Sequence, residues 1–148
     1  MIRQSIAAAA AAVLMALGSV TAAEAATPAL HAAPASAQAY SCSYYWTVDT
    51  YYYEFAGHST TWSAVPSTTS VSSAGIEAQC LLKDYANSHD FPSFNPGTID
   101  GVFGSHSQTA MKAFQRYMNS AFSAGLTVDG LPGPQSWWWL RYYGGLEG

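Results

Sequence analysis

The chain repeats itself, and the repeat limits what it can fold into. Residues 98–107, Thr-Ile-Asp-Gly-Val-Phe-Gly-Ser-His-Ser, return 29 positions later as Thr-Val-Asp-Gly-Leu-Pro-Gly-Pro-Gln-Ser at residues 127–136. Five of the ten positions are identical, and Ile99 and Val128 are a near match. Each copy runs into a segment with helical spacing. Met111 and Leu140 stand four residues beyond the closing serine, and Phe114 and Tyr143 seven beyond. The repeated unit is therefore a turn plus a helix. Asp100 and Asp129 can accept hydrogen bonds from nearby backbone N–H groups, and Gly101 and Gly130 can take positive φ. Gly104 and Gly133 are read as permitting a tight entry into the helix. Ser107 and Ser136 fall in the first turn, where a hydroxyl meets free backbone groups. Ile99 and Val128 are expected to bury in the core.

Periodicity extends this to three helices. Ile76 and Cys80 lie one turn apart, as do Leu81 and Tyr85, which predicts a first helix over residues 74–88. Pro92, Pro96 and Gly97 make residues 89–97 a loop. Ala110, Met111, Phe114, Tyr117 and Met118 form one apolar stripe on a second helix over residues 105–119, with Lys112, Gln115 and Arg116 off that stripe. A third helix opens at Pro134, a favoured first position, and runs to residue 143 with Trp137 and Leu140 on its inward edge. The expected fold is all-α, a small three-helix bundle. Upstream, residues 40–55 are crowded with aromatics of high β-propensity, and Asp49-Thr50 could turn, so a short hairpin is compatible with this segment. Ten of the seventeen residues in 59–75 are Ser or Thr, which reads as a linker or loosely packed loop.

Charge narrows the function. Only 9% of residues are charged, with five Lys+Arg against nine Asp+Glu and a net charge of −4. Nucleic-acid binding needs a basic patch, and the basic residues here are scattered singly. Arg3 is followed by twelve apolar residues, 6–17, fewer than the roughly 20 that span a bilayer. With the small-residue site Ala23-Glu24-Ala25 they read as a secretory signal peptide over residues 1–25, cleaved after Ala25. Ala37-Gln38-Ala39 is a weaker second site. Residues 26–39, rich in Ala and Pro, read as a disordered leader. No membrane contact is expected after cleavage, so the expected product is exported and soluble. In an oxidising compartment Cys42 and Cys80, the only cysteines, are expected to pair. Closing a loop of 37 intervening residues is worth about 4 kcal/mol on chain entropy. The alternative is a cysteine nucleophile.

Catalytic readings find little purchase. Asp100 and Asp129 could form an acid and nucleophile pair, which needs a separation of roughly 5–10 Å, but the duplicated turn accounts for both carboxylates without chemistry. His58, His89 and His106 lack ligand-like spacing, so no metal and no cofactor are expected. No phosphate loop, nucleophile elbow or Cys-His constellation is present.

The residues also resemble a known family. Gln79-Cys80-Leu81-Leu82, then residues 99–104, then Ala110-Met111-Lys112-Ala113-Phe114-Gln115 are similar to the peptidoglycan-binding-like domain. The similarity continues through residues 125–130, Gly133-Pro134-Gln135-Ser136-Trp137 and Leu140, and spans residues 74 to 141. The cysteine after Gln79, with an upstream partner, resembles the version in secreted proteins of Gram-positive actinobacteria. The sequence departs from the family at Ser107 and Ser136, where Thr is usual, at Pro132, and in a longer loop before Thr98. The resemblance implies a domain over residues 74–143, with residues 40–73 tethered to it by the disulfide. It implies structural roles for Asp100, Gly101, Phe103, Gly104, Ser107 and Phe114, and for Asp129, Gly130, Gly133, Ser136, Trp137 and Leu140.

The resemblance implies a domain that usually tethers cell-wall hydrolases to peptidoglycan, and this chain looks similar to that module without its usual enzyme. The leading reading is a non-catalytic, exported cell-wall binding protein, with peptidoglycan as partner and a secreted wall enzyme as a further candidate partner. Two others remain open: a protein–protein interaction module on the same scaffold, and a small wall hydrolase. Candidate ligand residues are Trp138, Arg141 and Tyr142, which share a helical face by spacing, and Asp100 and Gln115 beside the turns. For the tryptophans the competing role is extra core, and for Gln115 a capped or solvated side chain.

Overall fold

A computed structural model describes residues 39–144 of the chain; the proposed signal peptide and most of the leader lie outside them. In chain order the elements are β1 (Tyr45–Val48), β2 (Tyr52–Phe55), α1 (Ser73–Ser88), a 3-10 turn (Pro92–Phe94), α2 (Ser105–Phe122) and α3 (Pro134–Gly144). The three expected helices are present.

α1 starts where Ser72, extended at φ −143° and ψ 145°, lets its hydroxyl accept from Gly75 N at 3.1 Å, an N-cap bond. Its first turn lies against the first aspartate turn. A Cβ on Gly75 would stand 2.2 Å from Gly101 O, so no larger residue fits. α2 runs three residues past the expected end, to Phe122. It stops where Ser123 turns left-handed (φ 54°) and its N–H bonds Asn119 O at 3.1 Å. The extra turn is held by packing, because the Phe122 ring lies 5.3 Å from that of Trp139. The expected loop before Thr98 contains the 3-10 turn, which drives Phe94 into the core.

The core is aromatic. Trp137, Tyr85, Phe94, Phe103, Phe114 and Leu140 are buried at its centre, and Phe114 stacks on Tyr85 at 5.7 Å. The Tyr85 hydroxyl donates to Leu140 O, tying α1 to α3. Ile99 is buried as expected, but Val128 is 37% exposed and not a core residue. The physical difference is cover: Tyr40 N–H bonds Ile99 O at 2.7 Å, and among the described residues no counterpart bond lies over Val128.

The all-α expectation needs correcting. β1 and β2 form an antiparallel hairpin in register Tyr45↔Phe55 through Val48↔Tyr52, closed by Asp49 N–H on Tyr51 O at 3.1 Å. An isolated two-stranded hairpin is marginal in water; this one survives by docking. Glu54 and Phe55 are buried, and Cys42 is bonded to Cys80 of α1. The Ser/Thr-rich stretch is also bonded to the first aspartate turn and to α3 rather than loose. Phe103 N–H bonds Ser67 O at 2.8 Å, Ser72 N–H bonds Gly101 O at 3.0 Å, and Trp137 Nε1–H bonds Ala64 O at 2.7 Å. Among the described residues no helix is long and apolar enough to cross a membrane.

Candidate functional site

The two aspartate turns are each locked by a glutamine from the preceding helix. Gln79 of α1 places Nε2 2.9 Å from Asp100 Oδ1, 3.1 Å from Val102 O and 2.9 Å from Ser107 Oγ. Its Oε1 accepts from Gly101 N at 2.8 Å. Gln115 of α2 repeats this on the second turn. Its Nε2 lies 3.1 Å from Asp129 Oδ1, 3.1 Å from Leu131 O and 3.4 Å from Ser136 Oγ, and Oε1 accepts from Gly130 N at 2.9 Å. Each aspartate also accepts from the backbone two residues on, Val102 N and Leu131 N, both at 2.9 Å. Gly101 and Gly130 take φ +78° and +86°, the left-handed turn that favours glycine.

These networks settle several sequence expectations. Gln115 is 1% exposed, so it is neither a solvated nor a cap residue: its amide is the interior half of the turn lock. Ser107 and Ser136 are buried and face the glutamines. Desolvation works against ionisation of Asp129, but hydrogen bonds from Leu131 N and Gln115, with Lys112 nearby, hold its carboxyl below the usual range. A group held ionised this way is a poor proton donor. Gln79 was not legible as the twin of Gln115. The glutamines are 36 residues apart whereas the turns are 29 apart, because the loop after α1 is the longer, so a fixed offset misses them.

Outside each lock a cleft opens. The first, of about 350 Å³, is lined by Gln79, Thr98, Asp100, Gly104, His106 and Ser107 among others. The second, of about 270 Å³, is lined by the repeat equivalents Gln115, Thr127, Asp129, Gly133, Gln135 and Ser136. Asp100 and Gln115 thus sit in cleft walls, but in different clefts.

The three candidates on α3 are not brought together. Trp138 and Tyr142 stack at 4.3 Å, with Tyr51 at 6.1 and 5.2 Å from their rings, and form a half-exposed aromatic face with the hairpin. Arg141 points elsewhere and is fully buried. Its guanidinium bonds Ser59 O at 2.9 Å and Thr61 O at 3.2 Å. It lies 4.4–4.8 Å from the ring centroids of Phe55, Trp62 and Trp137. Glu77 Oε1 stands 4.0 Å away, and burial brings Arg141 down to about 10 against the pull of that carboxylate. Helical spacing grouped Arg141 with Trp138, but the arm of residues 59–62 reaches over it and makes it interior. Glu77 in turn accepts from Ala56 N, His58 N and Ser59 N.

No curated protein and no solved structure matches the chain. The segment that carries the three helices does match a family model: residues 74–140 match the family described as "Putative peptidoglycan binding domain".

Proposed function

We propose that this is an exported, non-catalytic protein that binds bacterial peptidoglycan. The observation that carries the reading is the family match over residues 74–140, in the part of the chain where both repeated turns open into clefts. Export is supported by the basic start, apolar run and small-residue site of residues 1–25 and by the Cys42–Cys80 disulfide, which fits an oxidising compartment. A non-catalytic role is supported by the tying of Asp100 and Asp129 into the turn locks. Residues 40–73 act as a covering arm of the domain. Ligand contacts fall to the cleft walls, Asp100 included, and to the Trp138–Tyr142 face; Gln115 and Arg141, both buried, hold the scaffold behind them.

A chain of net charge −4 gains no long-range attraction from a wall rich in anionic polymers. Affinity then comes from hydrogen bonds and apolar contact, and should hold or rise with salt. The test is co-sedimentation with purified, protein-free peptidoglycan across a salt titration. Retention that is steady or stronger at high salt supports the reading. A steep loss with salt contradicts the mechanism. No retention at any salt leaves the protein-interaction module as the better reading. Release of soluble muropeptides, lost in a folded Asp100→Asn variant, would instead indicate a hydrolase.

A further inference from the structure

The five residues shared by the two copies of the repeat are not all needed by the fold. Asp100 and Asp129 accept the turn bonds, Gly101 and Gly130 supply positive φ, and Ser107 and Ser136 meet the glutamines. Thr98/Thr127 and Gly104/Gly133 remain. Gly104 has φ −74° and ψ −164°, extended backbone that any residue adopts. A Cβ there would meet nothing within 4 Å, and the same holds at Gly133. The expected tight entry into the helix is therefore not what glycine is for. Thr98 and Thr127 are exposed, and among the described residues neither hydroxyl has a hydrogen-bond partner. All four line the clefts, one threonine and one glycine in each.

So the two shared pairs that folding leaves unexplained stand in the walls of the two cavities that are duplicated with them. Each cavity has the same fittings: a bare glycine that lets another main chain come close, a free hydroxyl, a carboxylate edge and a buried serine. No Phe, Tyr or Trp lines either one, so neither offers the flat ring on which a sugar would stack. Hydrogen-bonding groups around an unobstructed glycine suit peptide amides. We infer that both clefts are peptide seats, and that this domain is bivalent, holding two stem peptides of the wall polymer at once. This rests on the peptidoglycan reading and adds the ligand moiety and the number of sites. Because wall peptides recur along one insoluble polymer, two seats raise retention by effective concentration without any new contact.

The test uses the purified protein, ¹⁵N-labelled, titrated with a free stem tetrapeptide, with the disaccharide lacking peptide as control. The tetrapeptide should shift two sets of amide signals, residues 104–107 in the first cleft and Gly133, Gln135 and Ser136 in the second, and the disaccharide neither. Gly104→Val should remove the first response alone and Gly133→Val the second alone, each with unchanged far-UV circular dichroism. Thr98→Tyr and Thr127→Tyr, at exposed positions, plug the same clefts should a valine variant not fold. Each single variant should weaken retention on intact sacculi by roughly 10²-fold, the scale of lost avidity. Response at one set only, or one variant abolishing retention while its counterpart is neutral, overturns bivalence and leaves wall binding intact. A response to the disaccharide alone overturns the peptide assignment. Silence in both clefts while the wild type still sediments with sacculi overturns the seats but not the wall reading; failure to sediment overturns both.

Discussion

Glu54 is the group whose titration should govern stability near neutrality. It sits on β2, 3% exposed, and among the described residues its Oε2 has no hydrogen-bond partner. Burial first, then Asp84 and Glu77, push its carboxyl from an ordinary 4.5 to about 7. The nearby Tyr44 hydroxyl is raised for the same reasons, burial leading and Asp84, Glu54 and Glu77 following, while it donates to Cys80 O at 3.0 Å. The folded state thus binds the Glu54 proton more tightly than the unfolded chain. Stability is fully present below about pH 4.5, declines as pH rises to about 7, and is flat above that. At about 1.4 kcal/mol per unit, the difference is about 3 kcal/mol as an upper bound. Asp129 has the opposite sign, but its contribution is lost only as pH falls through the acid range. Urea unfolding at about pH 4.5 and about pH 8 should show the wild type losing stability at the higher pH. Glu54→Gln, which keeps the shape without the charge, should flatten the profile and exceed the wild type above neutrality. A wild-type profile that rises across this window, or a variant that tracks it, would refute the reasoning.

Other perturbations probe the core, the aromatic face and the tether. Phe114→Ala empties a fully buried site between Tyr85 and Phe94, and should cost about 3–5 kcal/mol, enough to abolish cooperative thermal unfolding in a domain this small. Trp138→Ala should keep the fold with a lower Tm, since it loses ring contacts to Tyr142, Trp139 and Tyr51, and should weaken sedimentation with peptidoglycan. Unchanged sedimentation would remove Trp138 from the ligand surface. Reducing Cys42–Cys80 should lower Tm while the helical circular dichroism persists, because the α-helices keep their own backbone bonds.

What could be read from sequence followed from local periodicity. The stripe through Ala110, Phe114 and Met118 placed α2, and the duplicated Asp-Gly turn fixed where α2 and α3 begin. What could not be read was set by contacts between distant segments. Helical spacing put Arg141 beside Trp138 on an outer face, and nothing local reveals that Ser59 and Thr61 supply carbonyls above it, about eighty residues away in sequence. Ile99 and Val128 occupy the same place in the repeat, yet only one lies beneath Tyr40. The polarity of Gln115 suggested a solvent-facing group. Its burial follows from the turn it serves, whose N–H and C=O groups need partners once water is excluded.

The same long-range contacts bear on whether the family-matched segment is a free-standing domain. Arg141 and Glu77 are both fully buried, and their partners come mainly from the arm: Ala56, His58 and Ser59 N–H on Glu77, and Ser59 and Thr61 C=O on Arg141. Removing residues 39–73 leaves two charges facing each other at 4.0 Å without those bonds. Breaking up a buried charge cluster costs about 3–5 kcal/mol. The loss of the Trp137 Nε1–H bond to Ala64 O adds about 1 kcal/mol, and the lost cross-link about 4 kcal/mol. Water reaching the exposed charges returns part of this, but the remainder still rivals the roughly 5–15 kcal/mol of a whole small protein. A chain of residues 74–144 alone should therefore give poorly dispersed amide spectra and no cooperative urea transition. A truncated chain with native dispersion and the stability of the full protein would show that the arm is an accessory, and that Glu77 and Arg141 satisfy each other without it.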